Sequence, residues 1–350
     1  MKKSLFIITF GPAGSGKGYI EEYYKNEIYN KYKNILRHDN FNPYYALIDD
    51  YIEKDYDYNY KSIEYCRNNI EKIRQTFMSD NNNNNINLAE NIIKGNHSEK
   101  IDLANEIGDD LGKIYFDVKK KYNATNDNMI NINLAKRNDI VYETTGNNKF
   151  DWIFEETHLK YDYVRNSYII IIVYPFVRIS KILERACSRF IKRVDKIDYN
   201  NISDNDSLSS FVQQNFLLED FLPPRLPKLS GDNSLYGSIK NIQDNISDYM
   251  IKCATGTSNV NEIMLYDNNN QPVLSIYNKC DSGEYVINKC ANIKSFLENN
   301  KGNIYPNLQN TINKICVENK IYSENMNGGN RMYYNKYMKY KSKYLSLKRK

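Results

Sequence analysis

Short apolar runs alternate with longer stretches of helical spacing along most of the chain. Leu5-Phe6-Ile7-Ile8-Thr9-Phe10 is almost wholly apolar, the pattern of a strand covered on both faces. Tyr44 to Ile48, Asp139 to Glu143, Tyr168 to Tyr174 (YIIIIVY) and Glu262 to Tyr266 repeat it. Val273 to Tyr277 pairs back across a turn at Asp267-Asn268-Asn269-Asn270. Between these runs apolar residues recur every three or four positions, as a helix with one buried face requires. Such stretches are Tyr19 to Tyr32, Ser62 to Met78, Ile86 to Tyr122 with Gly108 and Gly112 as weak points, Phe150 to Leu159, Val177 to Arg193, Leu208 to Leu218 and Leu235 to Ala254. Segments near Cys290 to Leu297 and Leu308 to Val317 close the series, and Pro223, Pro224 and Pro227 mark a loop. Strands alternating with helices predict an α/β fold. The expected sheet is mainly parallel, five-stranded and flanked by helices.

One large domain is expected over 1–322. Within it, 51–138 is too long for a simple crossover and reads as a helical insertion that can shape a substrate pocket. Residues 323–330, with Gly328-Gly329, read as a linker to a basic, tyrosine-rich helix over 331–350.

The first strand runs directly into Gly11-Pro12-Ala13-Gly14-Ser15-Gly16-Lys17-Gly18, and Tyr19 opens the helix after it. A strand, a GxxxxGK segment and a helix, in that order, form the context a phosphate-binding loop needs. Glycines let backbone N–H groups turn inward around phosphate oxygens. The helix start adds the positive end of its dipole, and Lys17 reaches the β- and γ-phosphates. The eighth position is usually Ser or Thr, whose hydroxyl ligates Mg²⁺; here it is Gly18, followed by Tyr19. The loop resembles the GxPGSGKG loop of adenylate-kinase-type phosphotransferases, which carry Thr next. Phosphate cradling is therefore expected to be intact. Mg²⁺ would have to be held by carboxylates through water, and its ligands are not assigned.

Composition changes this picture little. The chain leans on Asn, Ile, Lys and Tyr, with 32 Tyr and one Trp, a bias that fits an AT-rich genome. A net charge of +5 does not by itself call for nucleic acid. The six cysteines form no C-x-x-C pair, and with three His there is no zinc spacing; scattered reduced thiols are expected. The amino end is a core strand and phosphate loop, not a signal peptide, and no stretch reaches the ~18 apolar residues of a membrane span. The expectation is a soluble, cytoplasmic protein.

Ligands of open parallel sheets bind beyond the carboxyl ends of the strands. Those ends carry the phosphate loop, then Asp49 and Asp50, then Glu143, Thr144 and Thr145. Phosphoryl transfer needs phosphates positioned, charge neutralised and an acceptor hydroxyl oriented. Asp49 and Asp50 are candidates to accept the hydroxyl proton. Glu143, with Thr144, is a candidate to orient substrate. Arg185, Arg189 and Arg193 are spaced by four and share a helix face, so such a row can clamp the moving phosphoryl group. Each has a bland counterpart: a solvated strand-end acid, a helix cap, a basic surface.

GPAGSGKG, then IDDYIEKD, DIVYETTG, IIIIVYPFVRISKILERACSR and EIMLYDNNNQPVL resemble, in order, the zeta-toxin-like branch of P-loop kinases. The resemblance covers about Lys3 to Tyr277. It implies ATP-dependent phosphorylation of a hydroxyl on a small molecule, a nucleotide sugar being one such acceptor. It also implies Asp49 or Asp50 as base, Glu143 at substrate, and Arg185 with Arg189 at the phosphates. A nucleoside or nucleotide kinase, and an ATP-binding module without catalysis, are the competing expectations. In the tail, Tyr333, Tyr337, Tyr340, Tyr344 and Leu347 alternate steps of four and three, with lysines on the other faces. That seam can meet nucleic acid, an anionic membrane surface or a partner helix, or pack onto the domain. Its composition resembles tails of giant DNA virus proteins, which would place the chain in an infected host cell.

Overall fold

The computed structural model describes residues 2–20, 24–78, 84–147, 159–160, 162–255, 260–267, 271–279, 284–290 and 293–318. The linker over 323–330, the tail over 331–350 and nearly all of the helix expected over 150–159 lie outside them.

The strands are β1 (Ser4–Phe10), β2 (Tyr44–Ala46), β3 (Ile140–Thr144), β4 (Tyr168–Pro175), β5 (Glu262–Tyr266), β6 (Pro272–Lys279) and β7 (Glu284–Cys290). They form one sheet in the order β2-β3-β1-β4-β5-β6-β7. β1 is parallel to β3 and to β4, and β4 is parallel to β5. β6 and β7 extend the sheet as antiparallel strands. This is the expected α/β fold with a mainly parallel sheet; to the five strands expected in it the structure adds β6, expected as a pairing strand, and β7, which was not expected. The added β7 reads EYVINKC, whose interleaved polar residues weaken its signal. Every residue of β1 and β4 is buried, which explains why the longest apolar runs occupy the centre.

Residues cluster into two compact units. The first takes in Met1–Tyr45, Asn133–Arg178 and Lys240–Lys350, and contains most of the sheet. One sheet face packs Leu5, Ile7, Ile169, Ile171, Val173, Met264 and Tyr266 against Ile28, Tyr32 and Leu36. On the other, Phe10 meets the rings of Tyr174 and Tyr249 edge-on. Two buried carboxylates tie the strands in place. Glu262, fully buried, accepts from Lys31 Nζ at 2.5 Å, Tyr32 Oη at 2.6 Å and Ser275 Oγ at 2.5 Å. Asp139, also buried, accepts from the backbone N–H of Leu5 at 2.7 Å. Among the cysteines, Cys66, Cys187 and Cys253 are free and buried. Cys316 is disulfide-bonded, which corrects the expectation of reduced thiols at that position: the bond depends on the packing of a closing segment that spacing does not encode.

The second unit takes in Ala46–Ile132 and Ile179–Ile239, so its helices come from two stretches of chain. They are α1 (Ile48–Glu53), α2 (Tyr56–Asn68), α3 (Ile70–Phe77), α4 (Asn84–Lys94), α5 (Glu99–Lys136), α6 (Ile179–Asp195) and α7 (Asn205–Asn215). Asp55 caps α2 by accepting from Tyr58 N at 2.9 Å, and Asp204 with Ser207 forms a capping box on α7. The helix expected over Ser62 to Met78 is two helices that meet at Asn69. The stretch from Ile86 to Tyr122 divides between α4 and the continuous 38-residue α5.

Burial pushes the Asp139 carboxyl above its ordinary range, against the pull of the Leu5 N–H bond and His38. A raised folded pKa means that the native state holds its proton more tightly than the unfolded chain, so stability falls as pH rises from about 4. Asp139→Asn keeps an acceptor but removes the titration. The variant is therefore expected to gain relative to wild type as pH is raised from about 4 to 7, measured by urea unfolding. A difference that stays constant across that range would contradict this account.

Candidate functional site

In the first unit, the phosphate loop leaves the buried end of β1 at the centre of the sheet. The connection from β1 leads to β2 on one side, whereas that from β4 leads to β5 on the other. Their carboxyl ends therefore flank a switch point, where open α/β sheets bind ligands. Gly14 and Gly16 have φ of 84° and 83°, in the left-handed region that admits glycine with little strain. Gly11 is required for another reason: a Cβ there would lie 2.7 Å from Ser15 Oγ. Ser15 N donates to Pro12 O at 3.2 Å, closing the turn. Lys17 Nζ donates to Gly11 O at 2.9 Å and Pro12 O at 3.3 Å, so the ammonium spans its own loop. Ser15 Oγ is buried without a hydrogen-bond partner in the protein. A concave turn holding an ammonium and an orphan hydroxyl fits phosphate oxygens. Downstream, Lys17–Ile20 is a 3₁₀ turn and Tyr24–Ile28 a π-helix, so among its described residues the helix expected from Tyr19 to Tyr32 is α-helical only over Tyr29–Tyr32.

Glu143 and Thr144 lie beside this loop. Their register partners are Thr9 and Phe10, and Gly11 N donates to Thr144 O at 3.1 Å. The Thr144 hydroxyl accepts from Gly146 N at 3.3 Å. Gly146 has φ 75°, and a Cβ there would strike the Phe10 ring. Asn245 holds the same turn by donating to Gly146 O at 2.9 Å and Asn147 O at 3.1 Å.

The metal is a poorer fit. Gly18 offers no hydroxyl, is exposed, and has no atom within 4 Å of a built Cβ. Among the described residues, no cluster of three His, Cys, Asp or Glu side chains has the arrangement to hold a metal ion. The residues fit a nucleotide's phosphates and do not fit a directly ligated Mg²⁺.

In the second unit, Asp49 and Asp50, expected at the end of a strand, are not there. β2 stops at Ala46 and α1 begins at Ile48, which puts both in the first turn of a helix. Asp49 is held from two sides. Arg225 Nη1 donates to its Oδ2 at 2.7 Å, and Tyr115 Oη donates to its Oδ1 at 2.5 Å. The Arg225 guanidinium also lies 4.0 Å from the centroid of the Tyr115 ring, a cation–π stack. Asp50 is exposed; partial burial, then Glu53 and Asp49, raise its pKa. Arg193 Nη1 pairs with Glu53 Oε1 at 2.9 Å and donates to Pro223 O at 3.1 Å. The expected row of α6 arginines therefore divides: Arg193 is buried, Arg185 is half-buried and Arg189 is exposed. Burial, then Arg193 and Arg225, lower the Arg189 pKa.

Arg225, Tyr115, Tyr58 and Glu53 were not singled out by the sequence. Arg225 follows Pro223-Pro224 in a stretch with no periodicity, and only the packing of that stretch on α5 reveals it. Gly108 is the contact point. A Cβ there would lie 2.7 Å from Pro227 O and 2.8 Å from Lys228 Cα. The expected weak point of the helix is thus a notch for the loop that carries Arg225. At Gly112 a Cβ would meet nothing within 4 Å.

No family model matches the chain, and no curated protein does either. Among solved structures, it is similar to a chain from a study of the PezAT chromosomal toxin–antitoxin system of Streptococcus pneumoniae. The TM-score is 0.36 at 9% identity, over 92% of this chain and 87% of that one.

The two glycines of α5 generate a paired test. Gly108→Ala must push loop backbone aside and is expected to cost about 1–3 kcal/mol. Gly112→Ala is expected to be neutral or stabilising by up to about 1 kcal/mol through helix propensity. Urea unfolding of both variants checks this, and equal effects would remove the notch.

Proposed function

We propose that this chain is an ATP-dependent phosphotransferase of the P-loop kinase type, acting on a hydroxyl of a small molecule. The observation that supports it is the loop itself: left-handed backbone at Gly14 and Gly16, the Lys17 ammonium across the turn, and the unpartnered Ser15 hydroxyl. In this reading Gly11, Pro12, Ala13, Gly14, Ser15, Gly16, Lys17, Gly18 and Tyr19 form the nucleotide site. Lys17 leaves its carbonyl partners for the β- and γ-phosphates, where its charge offsets theirs. Glu143 and Thr144 meet substrate beside the loop. Asp49 or Asp50 accepts the proton of the acceptor hydroxyl, and Arg185 and Arg189 offset charge on the moving phosphoryl group. Mg²⁺ would accompany the nucleotide as its counter-ion, held by carboxylates through water, and no step here is assigned to it. The basic tail remains a proposed contact for nucleic acid, a membrane surface or a partner helix. Among the described residues, no helix is long and apolar enough to cross a membrane.

A second reading, nucleotide binding without catalysis, is favoured by one observation: Gly18 stands where the metal-ligating hydroxyl belongs. A panel of acceptors with labelled ATP separates the two, and also separates a nucleoside or nucleotide kinase from the leading reading. Lys17→Ala is expected to lower ATP turnover by at least about a hundredfold while circular dichroism and the unfolding midpoint stay as in wild type. Unchanged turnover would remove the proposal. Gly18→Ser fits without displacing any neighbour, and is expected to lower the Mg²⁺ concentration needed for half-maximal turnover. A Mg²⁺ requirement that does not move would show that the position takes no part in metal handling.

A further inference from the structure

Asp49 and Asp50 stand side by side in the first turn of α1, yet their surroundings differ. Successive residues of a helix project about 100° apart, so neighbouring carboxylates do not face the same groups. Both oxygens of Asp49 are taken: Tyr115 Oη donates to Oδ1 at 2.5 Å, and Arg225 Nη1 donates to Oδ2 at 2.7 Å. These are the lengths of charge-assisted bonds. The guanidinium also stacks on the Tyr115 ring, 4.0 Å from its centroid, so each member of the trio touches the other two. Asp50 is exposed, and its carboxylate has no hydrogen-bond or ion-pair partner among the described residues.

The trio is anchored on two sides. Tyr115 is buried with Ile52, Tyr58 and Val118. The loop that carries Arg225 is pinned to α5 by Asn105, whose Oδ1 accepts from Leu229 N at 3.1 Å and Ser230 N at 2.9 Å, and by Lys228 on Asp109 at 3.2 Å. To take a proton, Asp49 must give up a charge-assisted bond and leave the Arg225 guanidinium to Glu53, 3.9 Å away and already paired with Arg193. Asp50 has no such bond to lose. Lys119, Arg189 and Tyr58 also face Asp49, whereas Glu53, Lys54 and Asp49 face Asp50. Partial burial, then Glu53, hold the Asp50 carboxyl above its ordinary range, which favours proton uptake.

We propose that Arg225 is the positioning residue of this acidic pair: with Tyr115 it locks Asp49 out of proton transfer and leaves Asp50 as the proton acceptor. The assignment rests on the phosphotransferase reading. During transfer the acceptor oxygen bonds to the γ-phosphorus of ATP. The bond from that phosphorus to the β,γ-bridging oxygen breaks, ADP departs, and the hydroxyl proton passes to Asp50. Arg225 touches none of these atoms. It sets the charge beside Asp50, because a neutralised Asp49 is a weaker like-charge neighbour than a bare one.

The test reads turnover against pH in the full chain, with ATP affinity followed by calorimetry. Asp50→Asn is expected to lower kcat at least about a hundredfold, to abolish the acid limb and to leave ATP affinity unchanged. Asp49→Asn is expected to keep the greater part of kcat, and to keep the limb but move it to lower pH through loss of a like charge. Arg225→Met bares Asp49 and should move the limb to higher pH. Adding Asp49→Asn should move it back, and Arg225→Lys should stay near wild type. An arginine that only braces the fold would not move the limb. Where Arg225→Met does not fold, Asp50→Asn decides, since Asp50 is exposed. The same shifts need no turnover when read by NMR of carboxyl-labelled aspartate, on the signal that Asp50→Asn deletes. Transfer that survives Asp50→Asn, or a limb or signal unmoved by Arg225→Met, would overturn the assignment. If the unvaried chain phosphorylates no acceptor while the Asp50 signal shifts as described, the phosphotransferase reading falls and the hold of Arg225 on the pair stands.

Discussion

Burial of β1 on both faces is the constraint from which the rest follows. A strand packed between two apolar layers carries a charge only where a partner meets it, as Lys31 meets Glu262 in β5; β1 carries none, and its chemistry is displaced to its carboxyl end. There the chain must reverse with its backbone N–H groups unpaired by any ladder. Gly14 and Gly16 permit the left-handed backbone that turns those groups inward, and Lys17 offsets the carbonyls that remain. The hydrophobic centre and the glycine-rich turn after it are two consequences of one arrangement.

The helical unit works by a different principle. Its polar groups lie on α1, α2, α5, α6 and a proline-rich loop. Paired charges, not backbone geometry, organise it. Asp49 and Glu53 are one helical turn apart on α1, and two arginines from distant segments converge on them. Such a network is costly to desolvate and is seldom retained for stability alone. Within it Tyr58 Oη and Arg193 Nε are buried without a hydrogen-bond partner in the protein.

Apolar runs such as Leu5–Phe10 and Tyr168–Tyr174 identify central strands because double-sided burial admits nothing else. The GxxxxGK segment is equally legible, since its glycines answer to local backbone geometry. β7 was missed because its alternating polar residues carry no such run, and α1 was read as a strand end because Ile48 continues an apolar stretch. Arg225 could not be found: it has no periodic context, and its partner Asp49 is 176 residues away.

The amino-acid sequence by itself determined the α/β class, the central strands and the glycine-rich turn after β1, because each depends on neighbours within a few residues. Tertiary structure alone decided which arginines meet which carboxylates, why Gly108 must lack a side chain and where buried donors go unmet. Those depend on segments brought together by packing, and no local pattern encodes the partner.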